Sequence, residues 1–280
     1  HLYPSGIGYK AFPIVGPYNN NFYAMDWQSN TLAIASGRLL GKLPSFSSNG
    51  IHILRDEAWD FKNIQSVQQW QDENIWDFID ISVNPNDPLE YAVASYSEKP
   101  LTIFSADTVE VFDDTNSSLS FTGIENGWSL ASDVCFDTQD NLWVLNGYTE
   151  QPLNVRREDG SWMNFDCGSS ARNIYTTKMI IDFNDHIWFA SEDHGMFGYN
   201  HNNTIDEPND DASVHISTGI NSGNLPSSNV TALAADFDGE IWVGTDAGFA
   251  ILYNAGSSFE ANAGEYDVQR VKVTFEGNVE

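Results

Sequence analysis

Four of the six histidines, His186, His194, His201 and His215, fall within one stretch of about 30 residues, beside Glu192 and Asp193. Imidazoles and carboxylates together are the usual ligands of a zinc ion and the usual carriers of protons. The spacing selects neither chemistry. Nothing matches H-E-x-x-H, His186 and His194 bracket the apolar run IWFAS, and His201 lies in the polar run NHNNTIDEPNDD. These side chains are expected to be solvated loop histidines. The acidic pair Asp236 and Asp238, and the loop 206–211, gather oxygens as a calcium ion requires. Neither has the glycine and terminal glutamate of a twelve-residue calcium loop, so turn chemistry is the expectation for both. No catalytic residue, no metal ligand and no cofactor is assigned, and no binding residue is singled out.

The segments that carry these residues repeat. DFDGEIWVGT (Asp236–Thr245) aligns with DFNDHIWFAS (Asp182–Ser191) and DTQDNLWVLN (Asp137–Asn146), which places Trp143, Trp188 and Trp242 at one position of a unit about 45 to 54 residues long. Fainter copies, EYAVASY (90–96) and LAIASGR (32–38), occupy the same place earlier, which makes about five repeats. Within a unit, apolar residues alternate on both sides of an acidic turn, the period of a pleated strand. The turn position held by Gly239, Asp140 and Asp185 takes residue types that tolerate a left-handed backbone. FAILY and MFGYN supply a third strand, and DGSWMNFD and DEAWDFKN a fourth. Four strands per unit make a propeller blade. The expectation is an all-β chain, one β-propeller domain over 1–280, with seven blades in the closed ring. The chain ends inside a strand pattern, so the domain is expected to be a piece of a longer protein.

Composition narrows the functions. The chain carries 12 basic and 40 acidic residues, a formal net charge of −28, which repels phosphate backbones and anionic membrane surfaces. No nucleic-acid partner is expected. No apolar run reaches the length of a membrane span. Cys135 aligns with Ile180 and Ala234 inside a first strand, and Cys167 follows a fourth, so the two thiols are expected to be unbonded. The three aligned tryptophans are expected in blade cores.

LPSSNVTALAADFDGEIWVGTDAGFAILY (Leu225–Tyr253) resembles the two-component regulator propeller repeat, a pattern of LPSNxV, an Asp-rich turn and LWIGTxxGL; GT becomes AS and LN in the other two copies. That family occurs in periplasmic sensor domains of hybrid histidine kinases of Bacteroidetes and in surface proteins of the type IX secretion system. NLWVLNGYTEQPLNVRREDGSWMNF (141–165) and the segment that includes Tyr266, Asp267, Val268, Gln269 and Arg270 are similar to the PorZ-like members. The resemblance implies a non-catalytic binding module, exported to the cell surface or periplasm. Its partners would be the secretion sortase or other type IX components, with anionic lipopolysaccharide or an oligosaccharide as a further ligand. The loops NGYTEQP (146–152) and SEDHG (191–195) would hold the partner at the rim or channel. The alternatives are a sensor that recognises oligosaccharide and a glycosidase-like enzyme. The latter needs paired carboxylates and an arginine cluster, whereas Arg156, Arg157, Arg172 and Arg270 are scattered along the sequence.

Overall fold

The computed structural model describes residues 2–5, 8–11, 16–106, 108–122, 128–261, 265–272, 274–275 and 278–279. The last residues of the β run after Arg270 lie partly outside these. A short hairpin of β1 (Leu2–Ser5) and β2 (Gly8–Ala11) precedes five four-stranded antiparallel units, called blades I to V. Blade I contains β3 (Ala24–Gln28), β4 (Thr31–Ala35), β7 (Ile51–Arg55) and β8 (Ala58–Lys62), with the hairpin β5 (Leu39–Leu40) and β6 (Leu43–Pro44) inserted after β4. The helix α1 (Gln68–Asp72) leads into blade II, formed by β9 (Phe78–Val83), β10 (Glu90–Ser97), β11 (Leu101–Ser105) and β12 (Thr108–Phe112). Blade III is β13 (Ser129–Phe136), β14 (Leu142–Gly147), β15 (Leu153–Arg156) and β16 (Trp162–Phe165). Blade IV is β17 (Thr176–Ile181), β18 (Ile187–Ser191), β19 (Gly195–Asn200) and β20 (Ala212–Ile216). Blade V is β21 (Val230–Ala235), β22 (Ile241–Thr245), β23 (Gly248–Leu252) and β24 (Val268–Arg270). The end of β10 also pairs with β13, Tyr96 opposite Leu130, which joins blades II and III into one continuous sheet.

Each blade is apolar on both faces, so the core lies between blades. Ile51, Ile53, Phe78 and Phe104 close around the fully buried Trp70 between I and II. Leu101, Ile103, Val134 and Val144 fill the space between II and III. Leu145, Val155, Ile187 and Phe189 do so between III and IV, and Ala190, Val230, Ile241 and Val243 between IV and V. Cys135 and Cys167 belong with the third of these groups, and both thiols are free.

The repeat is held by a carboxylate. In blades III, IV and V the residue after the inner strand is Asp137, Asp182 and Asp236. Its Oδ1 accepts the backbone N–H of the residues two and four further on, at 2.8–3.0 Å. Its Oδ2 accepts the indole N–H of Trp143, Trp188 and Trp242, at 3.0, 2.9 and 2.8 Å. The carboxylate thereby closes the turn and fixes the ring beyond it. The turn residue expected to be left-handed has φ of 63° at Asp140, 61° at Asp185 and 81° at Gly239. Blades I and II lack the device, which is why their copies are faint. Blade I turns through Ser29 and Asn30, both at positive φ, the geometry of a tight hairpin. In blade II, Asn84 accepts two turn N–H groups, and Ala92 stands where the tryptophan would be.

The register bears out the alignment, with Trp143 opposite Cys135, Trp188 opposite Ile180 and Trp242 opposite Ala234. Burial corrects one part of the expectation. Trp143 and Trp188 are fully buried, but Trp242 is 39% exposed. The next blade covers the first two, and among the described residues no sheet lies over the third. Truncation of Trp143 or Trp188 to alanine is therefore expected to cost about 3–5 kcal/mol. The same change at Trp242 should cost clearly less, as read by urea unfolding of each variant. Equal losses at Trp188 and Trp242 would contradict this ranking.

Candidate functional site at the channel mouth

The inner strands surround a channel and bring charges together that are far apart in sequence. Asp80 of β9, Asp133 of β13 and Lys178 of β17 stand at one level of the blade register. Lys178 Nζ lies 3.0 Å from Asp80 Oδ1 and 2.9 Å from Asp133 Oδ2. Carboxylates also latch the inner strands of blades I and II to the next one, because that strand's edge leaves N–H groups without a ladder partner. Asp26 accepts the N–H of Val83 at 2.8 Å, and Asp80 accepts that of Val134 at 3.0 Å. Burial works to lower the Lys178 ammonium, but Asp133 and Asp80 outweigh it and hold it above its ordinary value. For Asp133 burial prevails, reinforced by the charge of Asp80, and its carboxyl sits well above the usual carboxylate range.

Above the charges is a cavity of about 180 Å³, lined among others by Tyr23, Tyr175, Thr177, Lys178, Glu192 and Thr231. The inserted hairpin β5–β6 reaches from blade I to blade IV. There Lys42 forms ion pairs with Asp193 and, at 3.3 Å, with Glu192, and its ammonium stands 5.2 Å from the centre of the Tyr175 ring. Burial pushes the Tyr175 phenol up, so it remains a neutral hydrogen-bonding group. The segment after the hairpin is clamped by Asp77. This fully buried carboxylate accepts the N–H groups of Ser45, Phe46 and Ser47 at 2.8–2.9 Å and the Ser45 hydroxyl at 2.7 Å. The clamp holds Phe46 at φ 60°, a conformation that costs a bulky residue on the order of 1–3 kcal/mol. It leaves the ring 62% exposed, edge-on to Trp128 at 5.0 Å. Tyr148 lies 5.5 Å from Tyr175.

The two loops expected to hold a partner thus meet at this mouth, SEDHG through Glu192 and Asp193 and NGYTEQP through Tyr148. Phe46, Asp77, Lys42 and the Asp80–Asp133–Lys178 group were not legible as site residues, because their partners are remote in sequence. A bulky side chain before two serines gives no sign of positive φ.

The histidines do not assemble, and three of them correct the expectation of solvated loop side chains; one, His215, lies half-buried in β20 with its ring stacked on that of Phe197 at 4.5 Å. His186 is buried, and its Nδ1 donates to Asp182 Oδ2 at 2.9 Å, the role that Asn141 Nδ2 plays toward Asp137 at 2.8 Å. His201 is buried with its ring 5.4 Å from that of Trp143, and burial lowers its pKa. His215 Nε2 bonds the carbonyl of His194 at 2.6 Å. Among the described residues no three His, Cys, Asp or Glu side chains gather as metal ligands do. Asp236 serves its own turn, Asp210 accepts from Thr204 at 3.1 Å, and Asp211 accepts the Tyr199 hydroxyl. Arg156 approaches Glu110 at 3.9 Å, Arg172 pairs with Asp166 at 2.5 Å, and Arg270 bonds the carbonyls of Asn224 and Leu225. Arg157 lines a separate groove with His201 and Asp206. The arginines do not form a cluster.

Residues 224–247 match the family model described as two component regulator propeller. No curated protein matches the sequence. The structure is similar to PorZ of Porphyromonas gingivalis, a surface component of the type IX secretion system, with TM-score 0.81 and 21% identity over 97% of this chain and 38% of that one. It is similar to the extracellular domain of a hybrid two-component system of B. thetaiotaomicron, with TM-score 0.59 and 13% identity over 98% of this chain and 30% of that one. A virginiamycin B lyase of Staphylococcus aureus shares the fold at TM-score 0.59 and 8% identity, over 92% of this chain and 71% of that one. The chain therefore spans less than two-fifths of the length of PorZ and of that extracellular domain. No helix of the described residues is long and apolar enough to cross a membrane.

The buried charges make a pH-dependent expectation. Lys178→Met leaves two carboxylates without their cation. The loss should be on the order of 2 kcal/mol, below that of a fully enclosed pair because the Lys178 side chain keeps 41% of its surface exposed. An unpaired carboxylate destabilises only while ionised. With the Asp133 value raised, the deficit should shrink as pH falls from neutrality toward the ordinary carboxylate range. Urea unfolding of both proteins across that interval checks it; a deficit that grows on acidification would show that Lys178 does not serve the carboxylates.

Proposed function

We propose that this chain is a non-catalytic binding module of an exported surface protein, which supports a type IX secretion sortase as a PorZ-like component and holds its partner at the channel mouth. The observation that carries the reading is Phe46, an aromatic ring kept exposed on a strained backbone by a buried carboxylate. Strain of this kind persists where the surroundings enforce it, and an exposed aromatic anchor beside Trp128 is what a protein interface uses as its hot spot. The fold likeness to PorZ over nearly the whole chain supports the choice of system. The net charge of −28 argues for a protein partner with a basic face ahead of an anionic lipopolysaccharide. Most of the conspicuous histidines, acidic turn residues and arginines have structural partners, which supports a module without turnover.

Phe46→Ala should weaken capture of the type IX sortase by roughly tenfold or more, the scale of a hot-spot residue, while leaving urea unfolding nearly unchanged. Biolayer interferometry with purified sortase measures it. Glycan hydrolysis by the purified chain, abolished by replacing one acidic loop residue, would instead establish an enzyme.

A further inference from the structure

Neighbouring blades diverge toward their outer strands, and the wedge between them is either filled or left open. Between blades II and III it is filled. Trp162 lies against Phe112 with ring centres 5.4 Å apart, and Arg156 stands 5.9 Å from the centre of the same ring and 3.9 Å from Glu110. Between blades I and II the outer strand β12 turns the short side chains of Val109 and Val111 toward blade I, and the wedge stays open as a cleft of about 680 Å³. That is the size of a ligand site.

The floor of the cleft is apolar, with Ile53, Val67 and the rings of Tyr91 and Phe104, which stack at 4.8 Å. Its charges stand on one wall. The register of β7 and β8 sets Ile53 opposite Asp60 and Arg55 opposite Ala58, so Arg55 and Asp60 share a face of blade I. Lys62 takes the Asp60 carboxylate at 2.6 Å and stands 5.8 Å from the centre of the Phe104 ring. Arg55 forms no ion pair among the described residues, in a chain with 40 acidic residues. Its Nε donates to the Thr31 hydroxyl at 3.1 Å and its Nη2 to the Pro88 carbonyl, which leaves other N–H groups of the guanidinium unused. The bond to Pro88 bridges the two blades at one end of the cleft, and residues 66–69 line the other. Tyr91 is 5% exposed, and its hydroxyl has no hydrogen-bond partner among the described residues. Burial pushes this phenol up, Asp60 adds to the rise and Arg55 opposes it, so the hydroxyl is a neutral donor that feels both charges.

We infer that this cleft is a binding site, separate from the channel mouth, for a carboxylate carried on an apolar body. The carboxylate lies between the Arg55 guanidinium and the Tyr91 hydroxyl, and the body lies on the Tyr91 and Phe104 rings. Charge selects the ligand. Lys62 already neutralises Asp60, so the polar groups left free are donors, and a planar guanidinium matches a carboxylate. With both ends of the cleft bounded, the occupant is a small organic acid or the C-terminal residue of a peptide, and a segment that continues in both directions does not fit.

Titration of the protein with 3-(4-fluorophenyl)propionate, followed by fluorine NMR, should show saturable binding in the millimolar range, the affinity expected of a ligand of this size. The corresponding amide should bind at least about tenfold more weakly, the share of a charge-assisted hydrogen bond. Tyr91→Phe, which keeps the ring and the fold, should weaken the acid by about threefold to tenfold, and Arg55→Met by more. Phe46→Ala should leave it unchanged, which separates the cleft from the mouth. Displacement of the probe by Gly-Gly-Phe with a free C-terminus, but not by its amide, would assign the peptide end as the occupant; failure of both to displace it would assign the small acid. Equal affinity for the acid and its amide, the absence of saturable binding, or binding that Tyr91→Phe does not alter overturns the inference.

Discussion

A single carboxylate at the end of an inner strand organises the later half of this molecule. It has two oxygens and three or four donors to serve. One oxygen gathers two backbone N–H groups and so closes the turn; the other holds an indole six residues away and so fixes the first large side chain of the next strand. Around Asp182, burial would raise the carboxyl, but the hydrogen bonds from His186 and Trp188 prevail and hold it below its ordinary value. A hydrogen bond to a charged group is worth about 1.5–3 kcal/mol, more than the neutral bonds of the same turn. The turn and the core are thus set by one group, and neither can shift without the other.

The placement of the mouth follows from this constraint. With the indoles of blades III and IV fixed, their sheets pack face to face and the inner strands come close enough for Lys178 to meet Asp133; in blades I and II, Asp26 and Asp80 latch each inner strand to its neighbour without that device. The loops between second and third strands then open on one side of the ring, opposite the acidic turns. That side carries the inserted hairpin of blade I, tied down by Lys42 and Asp77. The chemistry available there is recognition: an exposed phenylalanine, tyrosines beside an ion pair, and a small polar cavity beneath.

The sequence revealed what is local and repeated. Alternation, the turn residue at positive φ and the shared tryptophan all act within about ten residues, so three copies sufficed to read the blade and its register. Contacts between blades were hidden. Lys178 meets Asp80 across 98 positions, and Lys42 meets Asp193 across 151, with no spacing rule to announce them. His186 misled for a different reason. Its neighbours are polar turn residues, which suggests solvent, yet it takes the place of Asn141 and donates to a buried carboxylate. Likewise, the covering of Trp143 by His201 depends on the following blade, and the exposure of Trp242 on the lack of such a cover among the described residues. These are properties of packing between repeats.

The central claim is that Asp182 and Trp188 act as one unit, and a double-mutant cycle tests it most directly. Asp182→Ala removes the acceptor, and Trp188→Phe removes the indole N–H while keeping most of the ring. Urea unfolding of the two single variants and the double variant should give a coupling energy of about 1–2 kcal/mol, the share expected of a buried bond to a charged group. Losses that simply add, within about 0.5 kcal/mol, would show that the carboxylate closes its turn without organising the core, and would contradict the account.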